Sequence, residues 1–576
     1  MMKFSMMLTV YSFFVVILAF CTYAVMSKAT LRSDNEMLFS VYVEDEDTKV
    51  VIGKFDSANA NAYGSYQFNS SVSGWNYFEV HAKNNPASVK DQFVNIYAMG
   101  YAEGYATCHE LHTFWPNFYH DIFRGDVPGP KTLSFIKQQW DWMGAMIEEN
   151  AATDQFWFAQ KQTRRQLEGL LAGYKAGCVS PDAKTPDRPE MFWATLDNPS
   201  IEHLLLINAW GDLYQITAKM KEPGQFSRLF GRMQNTLIER CSAFVRVLPD
   251  LSDVVFGHNT WDSYEAMGPR IFKKLHFPLW QVSDSSVVPF TTLFSSSPGL
   301  LSSIDDFFVV KGRGHLGVQE TTNTLYNLQV LNTVTPTTAL SWQRSTAANQ
   351  LASNGQEWAK AMATHSSGTY SNQWMVLDLA LFTAGKNPET GFFTVYEDVP
   401  GLVHFEDMTS TLISQAYWGS FNNPYFSDIR DRAGYTNLCN KGFTSECYEG
   451  ASRYTIFKEQ HSNVIDIESM QHIMRYNEWQ TDAASKGNSC HAIACRGDLN
   501  SKSDDGAFGA LDAKMSSVKL ASKGDGCNAL AVIGPTHQDQ TVFCWSAYAD
   551  RANYVYQGQP DCFDFDWVAM PPSSTA

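Results

Sequence analysis

Two residues near the middle of the chain, Cys241 and His258, carry side chains suited to nucleophilic chemistry. Cys241 opens the strand-like segment 241–245, and His258 ends a second strand-like segment, 253–258. The residues between them, 248–252, read Leu-Pro-Asp-Leu-Ser and favour a turn. A hairpin centred on that turn places Cys241 opposite His258, where Cβ atoms are about 4.5–5.5 Å apart. A thiol facing an imidazole predicts a nucleophile with a neighbouring base; a buried cysteine beside a structural histidine is the alternative.

Helical patterns dominate before Cys241, and short strand-like segments dominate after it. Small residues recur within the helix predicted over 88–111, at Gly100, Ala102, Gly104 and Ala106. Their spacing predicts close packing against a second helix. Helices mixed with antiparallel-looking strands predict the α+β class.

The composition describes a globular chain and argues against one class of partner. The 576 residues are 44% hydrophobic and 18% charged, enough for a large core. The formal net charge of −17 argues against binding to a nucleic-acid backbone. The glycine-rich segment 312–317 fits a dinucleotide-binding loop, but no acidic residue lies about 20 positions later. The sequence therefore predicts no nucleotide cofactor, and no metal-binding motif has the required spacing.

The N-terminus predicts passage into the secretory pathway. Lys3 precedes an apolar segment over 6–26, which is typical of a signal peptide removed after residue 24. An uncleaved membrane anchor is the alternative, because the segment is long enough to cross a bilayer. The mature protein is expected to be secreted or to reside in a lumen.

The cysteines and a glycosylation motif agree with such a compartment. The chain has eleven cysteines, and two pairs are close enough in sequence to form disulfides: Cys439 with Cys447 and Cys490 with Cys495. Setting aside Cys21 in the signal and Cys241 leaves an odd number, so at least one further cysteine stays free or pairs between chains. Asn69 begins the sequence Asn-Ser-Ser, an acceptor for N-glycosylation.

Short segments along the chain resemble the phospholipase B-like family, also called lamina ancestor-like proteins. They are Gly-Trp (74–75), Gly-Tyr-Ala-Glu-Gly (100–104), Cys-Ser-Ala (241–243), Gly-His-Asn-Thr-Trp (257–261), Glu-Thr-Thr (320–322), Gly-Thr-Tyr-Ser-Asn-Gln-Trp-Met (368–375), Tyr-Trp-Gly-Ser-Phe-Asn (417–422), Met-Arg-Tyr-Asn (474–477), Arg-Gly-Asp-Leu-Asn (496–500) and Gly-Gln-Pro-Asp (558–561). The resemblance covers nearly all of the mature chain. It implies the N-terminal nucleophile hydrolase fold: a four-layer αββα sandwich of two antiparallel sheets between helices.

The resemblance also implies that the chain matures by cutting itself between Arg240 and Cys241. One domain would then consist of two associated fragments, 25–240 and 241–576, with Cys241 as a new N-terminus. A separate protease cutting near Arg240 is the alternative. The freed α-amino group, with a reference pKa of about 7.7–8.0, could accept the thiol proton. No metal or cofactor is implied.

By motif match, the residues expected around the nucleophile Cys241 are His258, Thr322, Asn422 and Arg453. His258 would orient or polarise the nucleophile, and Thr322 would hold it or the peptide bond to be cut. Asn422 would donate to an oxyanion, and Arg453 would steady the amino-terminal cysteine or bind a substrate anion. For each residue, a purely structural role is the alternative.

Trp261 and Asn372 are expected to line the substrate pocket. The activity implied is that of a phospholipase B-like hydrolase, which removes fatty-acyl groups from phospholipids through an acyl-thioester. An amidase acting on linear C–N bonds of N-acyl lipids is one alternative, and a catalytically silent luminal lipid-binding protein is another. Expected partners are the lipid or N-acyl substrate and, transiently, a membrane surface; a homodimer stays open. The expected location is outside the cell or in the lysosomal lumen.

Overall fold

The computed structural model describes residues 35–44, 47–180, 189–222, 241–500 and 506–572. The predicted signal peptide 1–24 and Arg240 lie outside these residues. The strands are β1 (Glu36–Glu44), β2 (Asp47–Ile52), β3 (Ala62–Gln67), β4 (Trp75–Ala82), β5 (Ser242–Val247), β6 (Val254–Asn259), β7 (Trp261–Ser263), β8 (Arg270–Trp280), β9 (Val287–Ser296), β10 (Phe307–Lys311), β11 (His315–Thr322), β12 (Asn372–Asp378), β13 (Phe393–Val399), β14 (Leu402–Asp407), β15 (Tyr417–Ser420), β16 (Phe508–Ala510), β17 (Asp512–Ser517), β18 (Ala529–Ile533) and β19 (Val568–Met570).

The α-helices cluster between β4 and β5 and again in the second half of the chain. They are α1 (Ser70–Ser73), α2 (Val89–Ala106), α3 (Cys108–Phe123), α4 (Pro130–Asn150), α5 (Gln155–Cys178), α6 (Pro189–Ala194), α7 (Ile201–Asn208), α8 (Trp210–Met220), α9 (Ser341–Leu351), α10 (Gly355–Ala363), α11 (Thr409–Gln415), α12 (Ser427–Ala433), α13 (Tyr435–Asn440), α14 (Ser452–Gln460), α15 (Ile467–Met474) and α16 (Val518–Ala521). Across the described residues, no helix is both long enough and apolar enough to span a bilayer.

Two large sheets form the middle of the molecule. The larger has the strand order β14-β13-β12-β11-β10-β9-β8-β4-β3-β1-β2, and the smaller has the order β15-β5-β6-β17-β18-β19. The expectation of wholly antiparallel sheets is wrong at one place, because β4 and β8 pair in parallel. A parallel pair needs a long crossover connection, and here helices α2–α8 and the hairpin β5–β6 supply it.

The sheets and helices are stacked in the predicted αββα order. Successive side chains of a strand point to opposite faces. In β5, Val245 joins the core shared by the two sheets, while Phe244 joins the core that the smaller sheet forms with α14 and α15. In β11, Val318 lies on the far face of the larger sheet, in a core that includes residues of α2, α9 and α10. The α+β class and its layered sandwich are therefore as predicted.

Helices α2 and α5 pack at the close distance that the small residues predict. A Cβ built on Gly100 would lie 1.9 Å from the carbonyl oxygen of Gln166, and one built on Gly104 would lie 2.0 Å from that of Leu170. Only glycine tolerates such an approach by another backbone. The helix predicted over 88–111 is, however, two helices, because α2 ends at Ala106 and α3 begins at Cys108.

The disulfides confirm both predicted pairs, Cys439–Cys447 and Cys490–Cys495. Two further disulfides, Cys108–Cys178 and Cys544–Cys562, join cysteines that had no obvious partner in sequence. In the part of the chain that the structure describes, the free cysteines are Cys241 and Cys527, and both are buried. Among the described residues, each disulfide lies wholly before or wholly after residue 240, so none connects the two predicted fragments.

Although no disulfide of the described residues does so, a buried ion pair connects the part of the chain before residue 240 to the part after it. The ammonium of Lys273 on β8 lies 2.7 Å from the Glu103 carboxylate on α2, and both side chains are about 1% exposed or less. Lys273 also donates to the carbonyls of Ser297 and Leu300, at 2.9 and 2.6 Å. Burial lowers the pKa of Lys273, while Glu103 raises it.

We expect Lys273→Met to lower the free energy of unfolding by about 3–5 kcal/mol, because the Glu103 carboxylate is left buried without its partner. Urea denaturation followed by tryptophan fluorescence measures the loss. The double variant Lys273→Met/Glu103→Leu should recover most of it, since no unpaired charge remains. A single variant that unfolds at the wild-type urea concentration would contradict the prediction.

Candidate active site

The hairpin β5–β6 carries the predicted nucleophile, but its register differs from the prediction. Ala243, not Cys241, lies opposite His258. The turn closes later than predicted because the Leu248 N–H donates to the Asp253 carbonyl, with Leu251 in the left-handed region at φ 57°. The pairing of the two strands is therefore offset by two residues from the prediction. An offset by an even number of residues keeps each side chain on the predicted face of the sheet.

Cys241 and His258 nevertheless come together, and Glu320 joins them. The thiol sulfur, one ring nitrogen of His258 and one carboxylate oxygen of Glu320 lie within 4.8 Å of one another. All three side chains are buried. The structure therefore brings together the predicted thiol and imidazole, with a carboxyl group that the sequence did not single out.

The environment holds the thiol and the imidazole in their neutral forms. Burial, followed by the nearby Glu320 carboxylate, raises the pKa of the Cys241 thiol well above its usual value. Burial, followed by the positive charge of Lys514, lowers the pKa of His258 well below its usual value. Neither ring nitrogen of His258 makes a well-aligned hydrogen bond in the described part of the chain, although the Glu320 backbone lies close enough to offset part of the fall in its pKa. A neutral thiol is a weak nucleophile, so burial lowers the reactivity of Cys241 in the intact chain.

The backbone at Cys241 is strained. Its φ of 72° lies in the left-handed region, which residues with a Cβ seldom occupy. Such a conformation costs about 1–3 kcal/mol and persists only where surrounding contacts impose it. The strain falls on the N–Cα bond that follows the predicted cleavage position.

Arg453 supplies those surrounding contacts. One terminal nitrogen donates to the Cys241 carbonyl at 2.5 Å and to the Ser242 hydroxyl at 2.9 Å. The other donates to the Phe421 carbonyl at 2.9 Å and to the Asn422 side-chain oxygen at 2.6 Å. The planar guanidinium thus ties the start of β5 to the segment that follows β15.

Trp261 lies against this arginine. The guanidinium carbon of Arg453 is 4.3 Å from the centre of the Trp261 ring. The indole N–H donates to the Asn259 side-chain oxygen at 2.8 Å, and the same oxygen accepts the Ser242 backbone N–H at 3.0 Å. The Trp261 backbone N–H interacts with Cys241 and partly offsets the rise in the thiol pKa. Trp261 is buried beside Cys241, and its role as a pocket wall stays a prediction. Asn259, which the sequence did not single out, connects the Trp261 indole to the backbone that follows Cys241.

Thr322, Asn422 and Asn372 form a second group of polar side chains. The Asn422 amide, on a residue with φ 66°, donates to the Thr322 carbonyl at 2.6 Å. Thr322 lies directly opposite Asn372 in the β11–β12 ladder. Among the described residues, the Thr322 hydroxyl and both side-chain polar atoms of Asn372 are buried without a hydrogen-bond partner. Buried polar atoms of this kind are uncommon and mark places where a water, an ion or a ligand can supply the partner.

A pair of buried carboxyl groups, Asp306 and Glu320, lies next to the thiol. The Tyr370 hydroxyl bridges them, at 2.6 Å from Asp306 and 3.4 Å from Glu320. Burial raises the pKa of Asp306 to about 7, and burial together with Asp306 raises that of Glu320 well above its usual value. Glu320 and Tyr370 lie within sequence segments already noted for their resemblance, whereas Asp306 carries no sequence signal.

Two further positions were predicted, Arg240 and Asn69. Arg240 is outside the described residues. Asn69 is partly exposed at the start of α1, where its amide donates to the Gln67 side chain at 3.2 Å. Glycosylation of Asn69 stays a prediction.

We expect Arg453→Lys to loosen the start of β5, because a single ammonium cannot replace a fork that reaches four acceptors. Cys241 should then react faster with a maleimide, as measured by mass spectrometry of labelled peptides. The loss of charged hydrogen bonds should lower the free energy of unfolding by about 1.5–3 kcal/mol.

The chain offers two controls for the Arg453 experiment. Cys527, the other buried free thiol, should keep its labelling rate in the same sample. Arg246→Lys, on the same hairpin, should leave the labelling of Cys241 unchanged, because Arg246 donates to the carbonyls of Val464 and Ala416. Unaltered Cys241 labelling in Arg453→Lys would show that the clamp does not shield the thiol.

We expect Asp306→Asn to stabilise the protein at pH 7.5 but not at pH 4.5. With a raised folded-state pKa of about 7, Asp306 keeps its proton in the folded chain while the unfolded chain loses it. Its contribution to stability is therefore complete below about pH 4 and is lost as pH rises towards 7. The amide cannot ionise, so urea unfolding at pH 7.5 should show a gain of roughly 2–4 kcal/mol.

A matched control for Asp306 is Asp141→Asn on α4, whose side chain is 59% exposed. Its effect should be close to zero at both pH values. An Asp306→Asn effect that is the same at pH 4.5 and pH 7.5 would refute the assignment of a raised pKa.

Comparison with known proteins shows one family over almost the whole chain. The family model described as Phospholipase B matches residues 62–570. "Phospholipase B-like 1" of Rattus norvegicus is 33% identical over 531 residues, which cover 92% of this chain and 91% of the relative. "Phospholipase B-like 1" of Homo sapiens is 32% identical, covering 89% and 88%, and "Phospholipase B" of Crotalus adamanteus is 31% identical, covering 94% of each. The chain belongs to the phospholipase B family.

Proposed function

We propose that the protein is a hydrolase that releases fatty-acyl groups from phospholipids, with Cys241 as the nucleophile. The names of its relatives support the substrate class. The observation that carries the residue assignment is the convergence on Cys241 of His258, Glu320 and the Arg453 clamp. Cys241 directly precedes β5, so removal of the preceding chain would leave its amine and thiol on one residue at the edge of a rigid sheet.

The first step of the proposal is maturation. The Cys241 sulfur attacks the Arg240 carbonyl carbon and the C–N bond breaks, so that the acyl group moves from nitrogen to sulfur and the thiol proton passes to the leaving nitrogen. Water then hydrolyses the thioester, releasing a carboxylate at Arg240 and a free amine at Cys241. The left-handed φ at Cys241 favours this step, because breaking the peptide bond relieves the strain. Arg453 would hold the Cys241 carbonyl in place during the shift.

The second step is acyl transfer from the lipid. The new α-amine accepts the thiol proton, and the sulfur attacks the ester carbonyl carbon. The tetrahedral oxyanion needs fixed N–H donors. We assign this role to the Trp261 backbone N–H, which interacts with Cys241, and to the Asn422 amide, which also donates to the Thr322 carbonyl. The alkoxide of the lysolipid leaves with the proton from the amine. Water then attacks the acyl-thioester, gives the free fatty acid, and restores the thiol.

The disulfides support a location in an oxidising compartment. Four disulfides are present among the described residues, and such bonds persist in secreted proteins and in luminal spaces. We therefore propose that the protein acts outside the cell or in the lysosomal lumen, where phospholipid would be presented by a membrane surface or by lipid debris.

We expect Cys241→Ala to abolish both cleavage and turnover. The purified secreted wild-type protein should give a fragment that begins Cys-Ser-Ala-Phe-Val, by N-terminal sequencing and intact mass under denaturing conditions. Release of fatty acid from phosphatidylcholine vesicles should fall by at least about 1,000-fold in the variant. Cys527→Ala removes the other free thiol, which contacts the Thr291 carbonyl, and should leave cleavage and turnover close to wild type.

The same assay separates the alternatives. N-acyl ethanolamine lipids included in the substrate panel would identify an amidase if they, and not phospholipids, were turned over. Cleaved protein that retains lipid but hydrolyses nothing in the panel would favour a lipid-binding protein. Turnover that survives in Cys241→Ala would falsify the proposed nucleophile.

A further inference from the structure

A cluster of metal-binding side chains lies across the β4–β8 ladder, away from Cys241. Glu79 and His81 are on β4, and His276 on β8 is the direct cross-strand neighbour of His81. The three side chains are 27%, 26% and 17% exposed, so they line a partly open surface rather than the core. The two imidazole rings are stacked, with centres 4.1 Å apart and planes within 1°.

The donor atoms of this cluster lie close to one another. The Nε2 atoms of His81 and His276 each lie 3.1 Å from the same oxygen of Glu79, and all three donor atoms lie within 4.8 Å of one another. Two imidazoles and a carboxylate form a known zinc donor set, in which ligand atoms around a tetrahedral ion lie about 3.3 Å apart. The observed nitrogen–oxygen distances are close to that spacing, and the open side of the cluster leaves room for water as a fourth ligand.

Neighbouring side chains fix the positions of these three residues by hydrogen bonds and ring stacking, as the groups around the ligands of known metal sites do. The Nδ1 atom of His276 lies 3.0 Å from the Thr291 hydroxyl on β9, so a proton there would leave the Nε2 lone pair free. The Tyr77 hydroxyl donates to the second oxygen of Glu79 at 2.7 Å. The Tyr63 ring stacks on His81 with centres 5.1 Å apart.

The charge around the cluster also suits a cation. Lys274, directly opposite Glu79, is paired with Asp525 at 2.6 Å.

We propose that Glu79, His81 and His276 bind a zinc-class divalent cation, with water completing the coordination. The site is separate from Cys241 and from the acyl transfer proposed there. Its position gives it a second consequence, which rests on the proposed maturation: β4 lies in the fragment before residue 240 and β8 in the fragment after it. The cation would then join the two fragments across the ladder, where none of the disulfides of the described residues does.

The test is metal binding by the purified full-length secreted protein after removal of bound ions with a chelator. Titration with Zn²⁺ in a calorimeter at pH 7.5 should give one site per chain, and Co²⁺ should give the visible absorption of a four-coordinate ion. His276→Gln and Glu79→Gln should abolish that site. Thr291→Val, which keeps all three ligands, should weaken binding by about 10–100-fold through the loss of the outer hydrogen bond.

A matched control is His472→Gln, in the exposed cluster of His472, Glu478 and Asp539. It should leave the affinity and the Co²⁺ spectrum unchanged. Each variant is first compared with wild type by circular dichroism, and Thr291→Val provides a test even if a ligand variant fails to fold. Absence of saturable Zn²⁺ binding, or binding that survives in His276→Gln with its Co²⁺ spectrum intact, overturns the proposal and leaves the cluster as an ion pair.

The joining role has its own measurement. In cleaved protein, Zn²⁺ should raise the urea concentration at which the two fragments separate on a sizing column, and it should not do so in His276→Gln. Zinc binding in a chain that is never cleaved would leave the metal site standing and overturn the proposed maturation. Cleaved protein whose fragments separate equally with and without bound Zn²⁺ would overturn the joining role alone.

Discussion

The parallel pairing of β4 with β8 is the contact on which the rest of the sandwich depends. It joins the strands β1–β4 to the run β8–β14, and so makes one sheet from two halves of the chain. The ladder holds seven residue pairs, from Trp75 with Arg270 to His81 with His276. Its hydrogen bonds join two strands that are far apart in sequence, and the connecting chain takes no part in them. A cut near residue 240 would leave every hydrogen bond of this ladder in place.

The crossover between β4 and β8 explains the position of Cys241, the proposed nucleophile. The chain leaves β4, passes through α2–α8 on the helical side, and returns through the hairpin β5–β6 in the smaller sheet before it enters β8. Cys241 therefore lies at the point where the helical half ends and the first strand of the smaller sheet begins. Polar contacts dominate there: Arg453 binds the strand end, and Lys514, Asp512 and Thr260 form a neighbouring buried network. Such interiors are stable only when their charges are balanced, which ties the geometry of the site to the packing of both sheets.

Local features of the sequence predict much of this structure, and long-range pairings account for what they miss. Three predicted features depend on residues close in sequence or on a recognisable side-chain size. They are the proximity of Cys241 and His258, the short-range disulfides and the glycine-lined contact between α2 and α5. The hairpin register could not be read in this way, because a left-handed Leu251 moves the turn without any glycine or asparagine to mark it. The partner of Cys108 lies 70 residues away, and Asp306 reaches the site only through folding.

The burial of Cys241 reconciles two requirements that otherwise conflict. A reactive cysteine in an oxidising compartment is at risk of wrong disulfides, and a raised thiol pKa protects it while the chain folds. The same burial lowers the pKa of His258, so its neutral ring is a weak base for the buried thiol. Under the proposed maturation, the α-amine is absent from the precursor and adjacent to the thiol in the product, so the stronger base for lipid turnover would become available only after the peptide bond breaks. The carboxyl pair of Asp306 and Glu320 fits the same proposal: its raised pKa values favour the protonated forms beside the buried thiol, and a nearby positive amine would favour ionisation. The proposed arrangement would thus couple reactivity to a covalent event rather than to a conformational one.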